Sequence, residues 1–172
     1  MTEKIPLVME SLTSNHGKRT VIESTLAAGA SVPLHFHTQF DKTFEVLEGE
    51  ISILNETTAT TLRAGESFTI GKEVVHSYVV GNTEAIVKIT LEPGNLSFEN
   101  AMKLINGIHH DGEYARLSTL ENNNMVFMAI IAKLTDAHYM GEAGSTLDTF
   151  LQTEEGKQVM YIQNEMIEKY CV

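Results

Sequence analysis

The first half of the sequence alternates short apolar segments with turns that contain glycine. Glycines lie close to the ends of most segments, where a turn needs the positive φ that glycine adopts at little cost. Many short segments at this spacing are typical of a β-sandwich or β-barrel. The segments, rich in Val, Ile, Thr and Phe, span residues 19–27, 35–37, 43–47, 50–55, 58–62, 67–70, 76–80 and 85–91.

The pattern lengthens after Pro93-Gly94. Apolar residues at helical spacing predict a helix over residues 97–106 with Ser97 as its N-cap, followed by an irregular stretch over 107–120. A second helix is expected over 125–134, and one or two more over 146–170, with a break near Gly156. We therefore expect a mainly β fold with C-terminal α-helices. Residues 1–94 would form the barrel, and residues 95–172 a helical extension packed on it within the same domain.

Composition narrows the possible partners and locations. The 172 residues suffice for one domain. The formal net charge of −11 argues against nucleic acid as a partner, and no apolar run has the length of a membrane helix. The first ten residues lack the pattern of a signal peptide, so we expect a cytoplasmic protein. The single cysteine, Cys171, is expected at a frayed end rather than in an active site.

The stretch GASVPLHFHTQFDKTFEVLEGE, residues 29–50, carries the most chemical information. His35 and His37 are two residues apart on a predicted strand, so both side chains point the same way, about 7 Å apart along the strand. Two imidazoles on one face can bind one metal ion, and imidazole suits Zn, Fe, Ni and Cu. The sequence therefore offers a metal site, although a His-x-His pair alone is weak evidence.

This stretch resembles the first motif of the cupin superfamily: Gly, five residues, His-x-His, three or four residues, Glu, six residues, Gly. Gly29, the two histidines and Gly49 occupy the matching positions. The segment from Gly65 to His76 resembles the second motif, with Gly71 and Glu73 where the family has Pro and Gly. The resemblance implies a double-stranded β-helix, also called a jelly-roll barrel, in which His35, His37 and His76 hold a divalent metal such as Zn, Fe, Ni or Mn.

One position departs from the family pattern. Counting back from Gly49, the residue at the position of the metal-binding glutamate is Lys42. Three interpretations remain open. The three histidines bind metal while Lys42 turns away, or Asp41 moves inward and supplies a carboxylate, or metal binding is weak or absent and Lys42 attracts an anionic ligand.

Two further residues are candidates for ligand binding. Gln39 would add a polar group near the site, and Tyr78, two residues after His76, would share its face as a barrel-filling aromatic or as a hydrogen-bond donor. The leading hypothesis is a metal-binding cupin, a metal-dependent enzyme of the oxygenase or isomerase kind that acts on a small organic molecule. The alternatives are a non-catalytic cupin that binds a small molecule with weak or no metal, and a purely structural barrel. Relatives of this kind commonly form homodimers, which we also expect here.

Overall fold

The computed structural model describes residues 6–55, 57–111 and 123–171. Within these ranges there are four α-helices: α1 (Leu96–Asp111), α2 (Asn123–Leu134), α3 (Gly141–Leu151) and α4 (Val159–Tyr170). Short 3-10 helices span Leu12–Ser14 and Gly156–Gln158. The strands are β1 (Leu7–Glu10), β2 (Thr20–Leu26), β3 (His35–Phe36), β4 (Asp41–Glu48), β5 (Glu50–Asn55), β6 (Ala59–Arg63), β7 (Ser67–Ile70), β8 (His76–Val80), β9 (Ala85–Glu92) and β10 (His138–Tyr139).

The strands form two antiparallel sheets of five strands each. Their orders are β1-β2-β9-β4-β7 and β10-β3-β8-β5-β6. Strands far apart in the chain are neighbours, since β9 lies between β2 and β4, and β8 lies between β3 and β5. The predicted fold class, a mainly β jelly-roll with C-terminal helices, is confirmed.

Alternation along the strands places the core between the two sheets. In β4 the side chains of Lys42, Phe44 and Val46 are buried, while the residues between them are partly exposed. This is the period of two that a half-buried strand requires. The turn from β4 to β5 needs glycine, because Gly49 has a φ of 79° and a Cβ there would lie 2.5 Å from the carbonyl oxygen of Glu84.

Helix α1 begins earlier and ends later than the sequence predicts. Asn95, not Ser97, caps it, because the Asn95 side chain accepts a hydrogen bond from the backbone N–H of Phe98. Residues 107–111 continue the helix, so the prediction of an irregular segment from residue 107 is wrong there, and residues 112–120 lie outside the described residues. Gly107 sits inside the helix for packing: a Cβ would lie 2.2 Å from the Tyr170 ring.

The remaining helices agree with the prediction of a helix over 125–134 and a break near Gly156. A Cβ at Gly156 would lie 2.2 Å from the carbonyl oxygen of Phe150, so only glycine lets the backbone pass this close to the end of α3. Cys171 is not frayed, because its thiol donates a hydrogen bond to the carbonyl of Asn100 at 3.4 Å and burial raises its pKa. Among the described residues, no helix is both long and apolar enough to cross a bilayer.

The division into a barrel of residues 1–94 and an extension of residues 95–172 stays a prediction. One hydrophobic cluster contains side chains of both parts, among them Phe44 and Leu91 from the sheets and Leu104 and Ile130 from the helices.

Candidate metal centre

Three buried histidines meet inside the barrel. His35 lies in β3 and His37 follows it, while His76 opens β8 and is the cross-strand neighbour of His35. Their side chains are 4%, 4% and 1% exposed, respectively. One ring nitrogen of each lies within 4.8 Å of the others, close enough to bind one metal ion. The structure thus brings together the three residues that the two motifs predict as ligands.

The backbone fixes the orientation of each imidazole. The Nδ1 atoms of His35 and His76 lie 2.8 Å from the carbonyl oxygens of Pro33 and Val74. That of His37 lies 3.1 Å from the carbonyl oxygen of Asp136. Because a carbonyl oxygen can only accept, each Nδ1 carries the proton and each Nε2 presents a lone pair.

Two of the three Nε2 atoms have no hydrogen-bond partner. Those of His37 and His76 are buried and have no hydrogen-bond partner. A buried nitrogen lone pair without a partner is costly, and metal-binding histidines typically donate their other N–H to a carbonyl in this way. The residues present therefore fit a metal ion with nitrogen ligands.

The histidines are neutral across the physiological range. Burial, followed by the charge of Lys42, lowers the pKa of His35 to about 3, that of His37 to about 2 and that of His76 to about 4. A neutral imidazole is the form that binds a metal ion.

Lys42 points into the barrel beside these histidines. It is 6% exposed, and its Nζ lies 4.9 Å from the centre of the Phe44 ring and 5.8 Å from that of Phe98. Burial lowers its pKa to about 8. The interpretation in which Lys42 turns away from the site is therefore wrong, because strand alternation holds it on the inner face with Phe44.

Asp41 does not replace the missing carboxylate. As the neighbour of Lys42 in an extended strand it faces the other side of the sheet. There its Oδ1 accepts a hydrogen bond from the backbone N–H of Lys72 at 2.9 Å. The interpretation in which Asp41 restores a carboxylate ligand is also wrong, and among the described residues the cluster of possible ligands consists of the three histidines alone.

Aromatic side chains surround the cluster. Tyr78 meets the Phe44 ring edge to face at 5.7 Å, and burial, with a contribution from Tyr139, raises the pKa of its phenol. Tyr139 lies 5.9 Å from the His35 ring, and burial raises its phenol pKa as well. Both phenols therefore keep their protons at neutral pH. Sequence reasoning missed Tyr139, since it belongs to a two-residue strand that follows the helix α2.

Asp136 supports the site from outside the barrel. Its carboxylate accepts hydrogen bonds from the backbone N–H groups of Thr38 and Gln39 and from the Thr38 hydroxyl. Burial raises its pKa, but these bonds and one with His138 outweigh burial and lower it. Its backbone carbonyl meanwhile accepts from His37. This residue, also missed, thus holds the segment that follows β3.

Gln39 does not enter the cluster. Its side chain is exposed, and its amide oxygen accepts a hydrogen bond from the Asn95 side chain at 2.9 Å. Its role in ligand binding stays a prediction, as does that of Tyr78.

The turn before His76 departs from the motif that it resembles, because it has Glu73 where the motif has glycine. Glu73, at the position of the family glycine, adopts a φ of 62°. Its backbone N–H donates to the carbonyl oxygen of His37 at 2.7 Å, which ties the turn to the other histidine strand.

Comparison with solved structures finds proteins that resemble part of this chain. A cupin-2 domain-containing protein from Shewanella frigidimarina is 26% identical with a TM-score of 0.43, over 51% of this chain and 78% of that one. A predicted oxalate decarboxylase from Thermotoga maritima is 22% identical with a TM-score of 0.48, over 51% and 78%. The polyketide cyclase RemF from Streptomyces resistomycificus is 18% identical with a TM-score of 0.46, over 53% and 66%. No curated protein matches the sequence.

Comparison with protein families gives a direct match. Residues 22–98 match the model of the cupin domain, and this range contains both histidine motifs and most of the two sheets. Together with the jelly-roll topology, the match shows a cupin domain over residues 22–98 of this chain.

Proposed function

We propose that His35, His37 and His76 bind one divalent transition-metal ion and that the protein is a metal-dependent enzyme of the oxygenase or isomerase kind. The observation that carries the proposal is the shared orientation of the three imidazoles. Each Nδ1 donates to a backbone carbonyl, and the Nε2 atoms of His37 and His76 are buried without partners. Nitrogen ligands favour Zn, Fe or Ni, with Mn as a further candidate.

The chain's own residues prepare the barrel for a small organic molecule. A divalent ion held by three imidazoles supplies Lewis-acid or redox chemistry to a molecule bound beside it. The backbone carbonyls of Pro33, Val74 and Asp136 fix the imidazoles before anything binds, so little reorganisation is needed. The protonated phenols of Tyr78 and Tyr139 are available as hydrogen-bond donors.

A second function, binding of a small molecule without catalysis and with weak or no metal, is favoured by one observation. The buried ammonium group of Lys42 lies where relatives place a carboxylate, and it disfavours any additional cation nearby. Metal analysis separates the two functions.

The test is elemental analysis of protein purified without chelators. We expect a single equivalent of metal per chain in the wild type and its loss in His76→Ala. The matched control is His110→Ala, which alters an exposed histidine on α1 and is expected to retain the metal. Wild-type protein that remains metal-free after incubation with Zn²⁺, Fe²⁺, Ni²⁺ and Mn²⁺ would contradict the proposal and favour the non-catalytic alternative.

A homodimer and a cytoplasmic location remain predictions from the sequence. Light scattering of the purified protein checks the first, and fractionation of cells checks the second.

A further inference from the structure

Lys42 is a buried charge that lacks a counter-ion among the described residues. Its side chain is 6% exposed, and among the described residues no hydrogen bond or ion pair to its Nζ is found, since burial alone shifts its pKa. Its neighbours are the faces of Phe44 and Phe98 and the three histidines. Aromatic faces stabilise a cation by less than a buried ammonium loses on leaving water.

Two carboxylates that adjoin Lys42 and Phe98 in the sequence, those of Asp41 and Glu99, bind other groups. Asp41 binds the backbone N–H of Lys72 on the opposite face of β4. The buried carboxylate of Glu99 accepts from Ser11, from the backbone of Leu12 and from Thr20, at 2.6–2.7 Å. Among the described residues, neither carboxylate is therefore a counter-ion for Lys42.

We infer that the molecule bound in this barrel is a small organic carboxylate whose oxygens accept hydrogen bonds from Lys42 Nζ. The inference deepens the proposed function and rests on it for the position of the molecule beside the histidines. A carboxylate neutralises the ammonium, and a metal ion adds further positive charge that an anion also offsets. The rings of Phe44 and Phe98, which lie beside Lys42 Nζ, suit an organic molecule with an apolar part.

Binding of malonate and of its neutral analogue malonamide, measured by calorimetry, tests this inference. We expect malonate to bind wild-type protein more tightly than malonamide. Lys42→Met is expected to weaken malonate binding about tenfold or more, because a charge-assisted hydrogen bond is lost, and to leave malonamide binding unchanged. Lys72→Met is the matched control, since Lys72 is exposed, and it is expected to bind malonate like the wild type.

Each titration is run on metal-loaded and on chelator-treated protein, with metal content measured separately. If the proposed function is wrong, the wild-type protein contains no metal. The effect of Lys42 on malonate binding can still be measured in that metal-free protein. Equal affinity for malonate in the wild type and Lys42→Met, or no binding of malonate to either form of the wild type, would overturn the inference. Should Lys42→Met fail to fold, wild-type protein that binds malonamide as tightly as malonate overturns it equally.

Discussion

At the scale of single residues, Lys42 determines the charge of the site. A carboxylate at this position would add a fourth ligand and a negative charge, whereas the lysine adds a positive charge that opposes metal binding. The backbone of β4 needs no change to accept either side chain, because the inward direction is set by strand alternation with Phe44 and Val46. The effect of the lysine on metal affinity can therefore be measured by substitution alone.

We expect Lys42→Glu to raise the affinity for Zn²⁺ about tenfold or more, since it removes a repulsive charge and supplies an oxygen ligand. Lys42→Met, which only removes the charge, should fall between the wild type and Lys42→Glu. Competition with a chromophoric chelator measures the three affinities. Equal affinity in the wild type and Lys42→Glu would show that the side chain at this position does not reach the metal.

Glu73 stores backbone strain in the turn that presents His76. Its φ of 62° costs a residue with a side chain about 1 kcal/mol, which glycine avoids. Glu73→Gly also makes the unfolded chain more flexible, so we expect the free energy of unfolding to stay the same or to rise by up to about 1 kcal/mol. Urea denaturation checks this.

The matched control for this change is Glu168→Gly, in the exposed face of helix α4, where glycine should cost about 1 kcal/mol. An equal loss of stability in the two variants would mean that the strain at Glu73 is negligible.

At the scale of elements, the connection between α2 and β10 links the helical part to the histidine cluster. Helix α2 ends in a Schellman arrangement, in which the N–H of Ala137 donates to the carbonyl of Ala132. Asp136 takes the left-handed position with a φ of 53°, where glycine is commonest. Aspartate tolerates this conformation, and its carboxylate then binds Thr38 and Gln39 in the segment after β3.

We expect Asp136→Asn to lower the free energy of unfolding by about 1–2 kcal/mol, because hydrogen bonds to a charged acceptor become bonds to a neutral one. It should also weaken metal binding about tenfold, since the Asp136 side chain holds in place the backbone carbonyl that accepts from His37. Denaturation and metal competition measure the two effects. Asp148→Asn, at an exposed position of α3, is the control, and a similar response in both variants would refute a specific role for Asp136.

The sequence predicts the elements that carry local signals and misses those that depend on distant contacts. The strands from β2 to β9 follow from apolar segments and glycine turns, and the orientation of Lys42 follows from alternation. The two-residue strand β10 has no periodicity to detect, so Tyr139 and Asp136 could not be placed beside His35 and His37. Gly107 resembles a helix end in the sequence, because its actual partner, Tyr170, lies at the far end of the chain.

At the scale of the whole molecule, the C-terminal part supplies groups that contact the histidines and the inner side chains of the barrel. Tyr139 and the Asp136 carbonyl reach the histidines from the C-terminal part, and Phe98 of α1 packs 5.6 Å from Phe40. Local motifs predict the positions of the histidines, but the aromatic neighbours and the Asp136 carbonyl reach them only when the C-terminal part packs on the barrel. Docking should therefore control both stability and metal binding.

Glu99 is the buried group through which this docking can be tested. Its carboxylate on α1 binds the Ser11 hydroxyl, the backbone N–H of Leu12 and the Thr20 hydroxyl. Glu99→Leu keeps the approximate size but leaves buried donors unpaired, at about 1–3 kcal/mol each. We therefore expect the free energy of unfolding to fall by about 3 kcal/mol or more.

Chemical denaturation measures this change, with Glu84→Gln at an exposed turn as the control. Because α1 also supplies Phe98 beside Lys42 and His37, we expect Glu99→Leu to weaken metal binding even under conditions in which the variant remains folded. A variant that loses stability yet binds metal as the wild type does would show that the barrel positions its histidines independently of the helices. In that case the C-terminal part would act on stability alone.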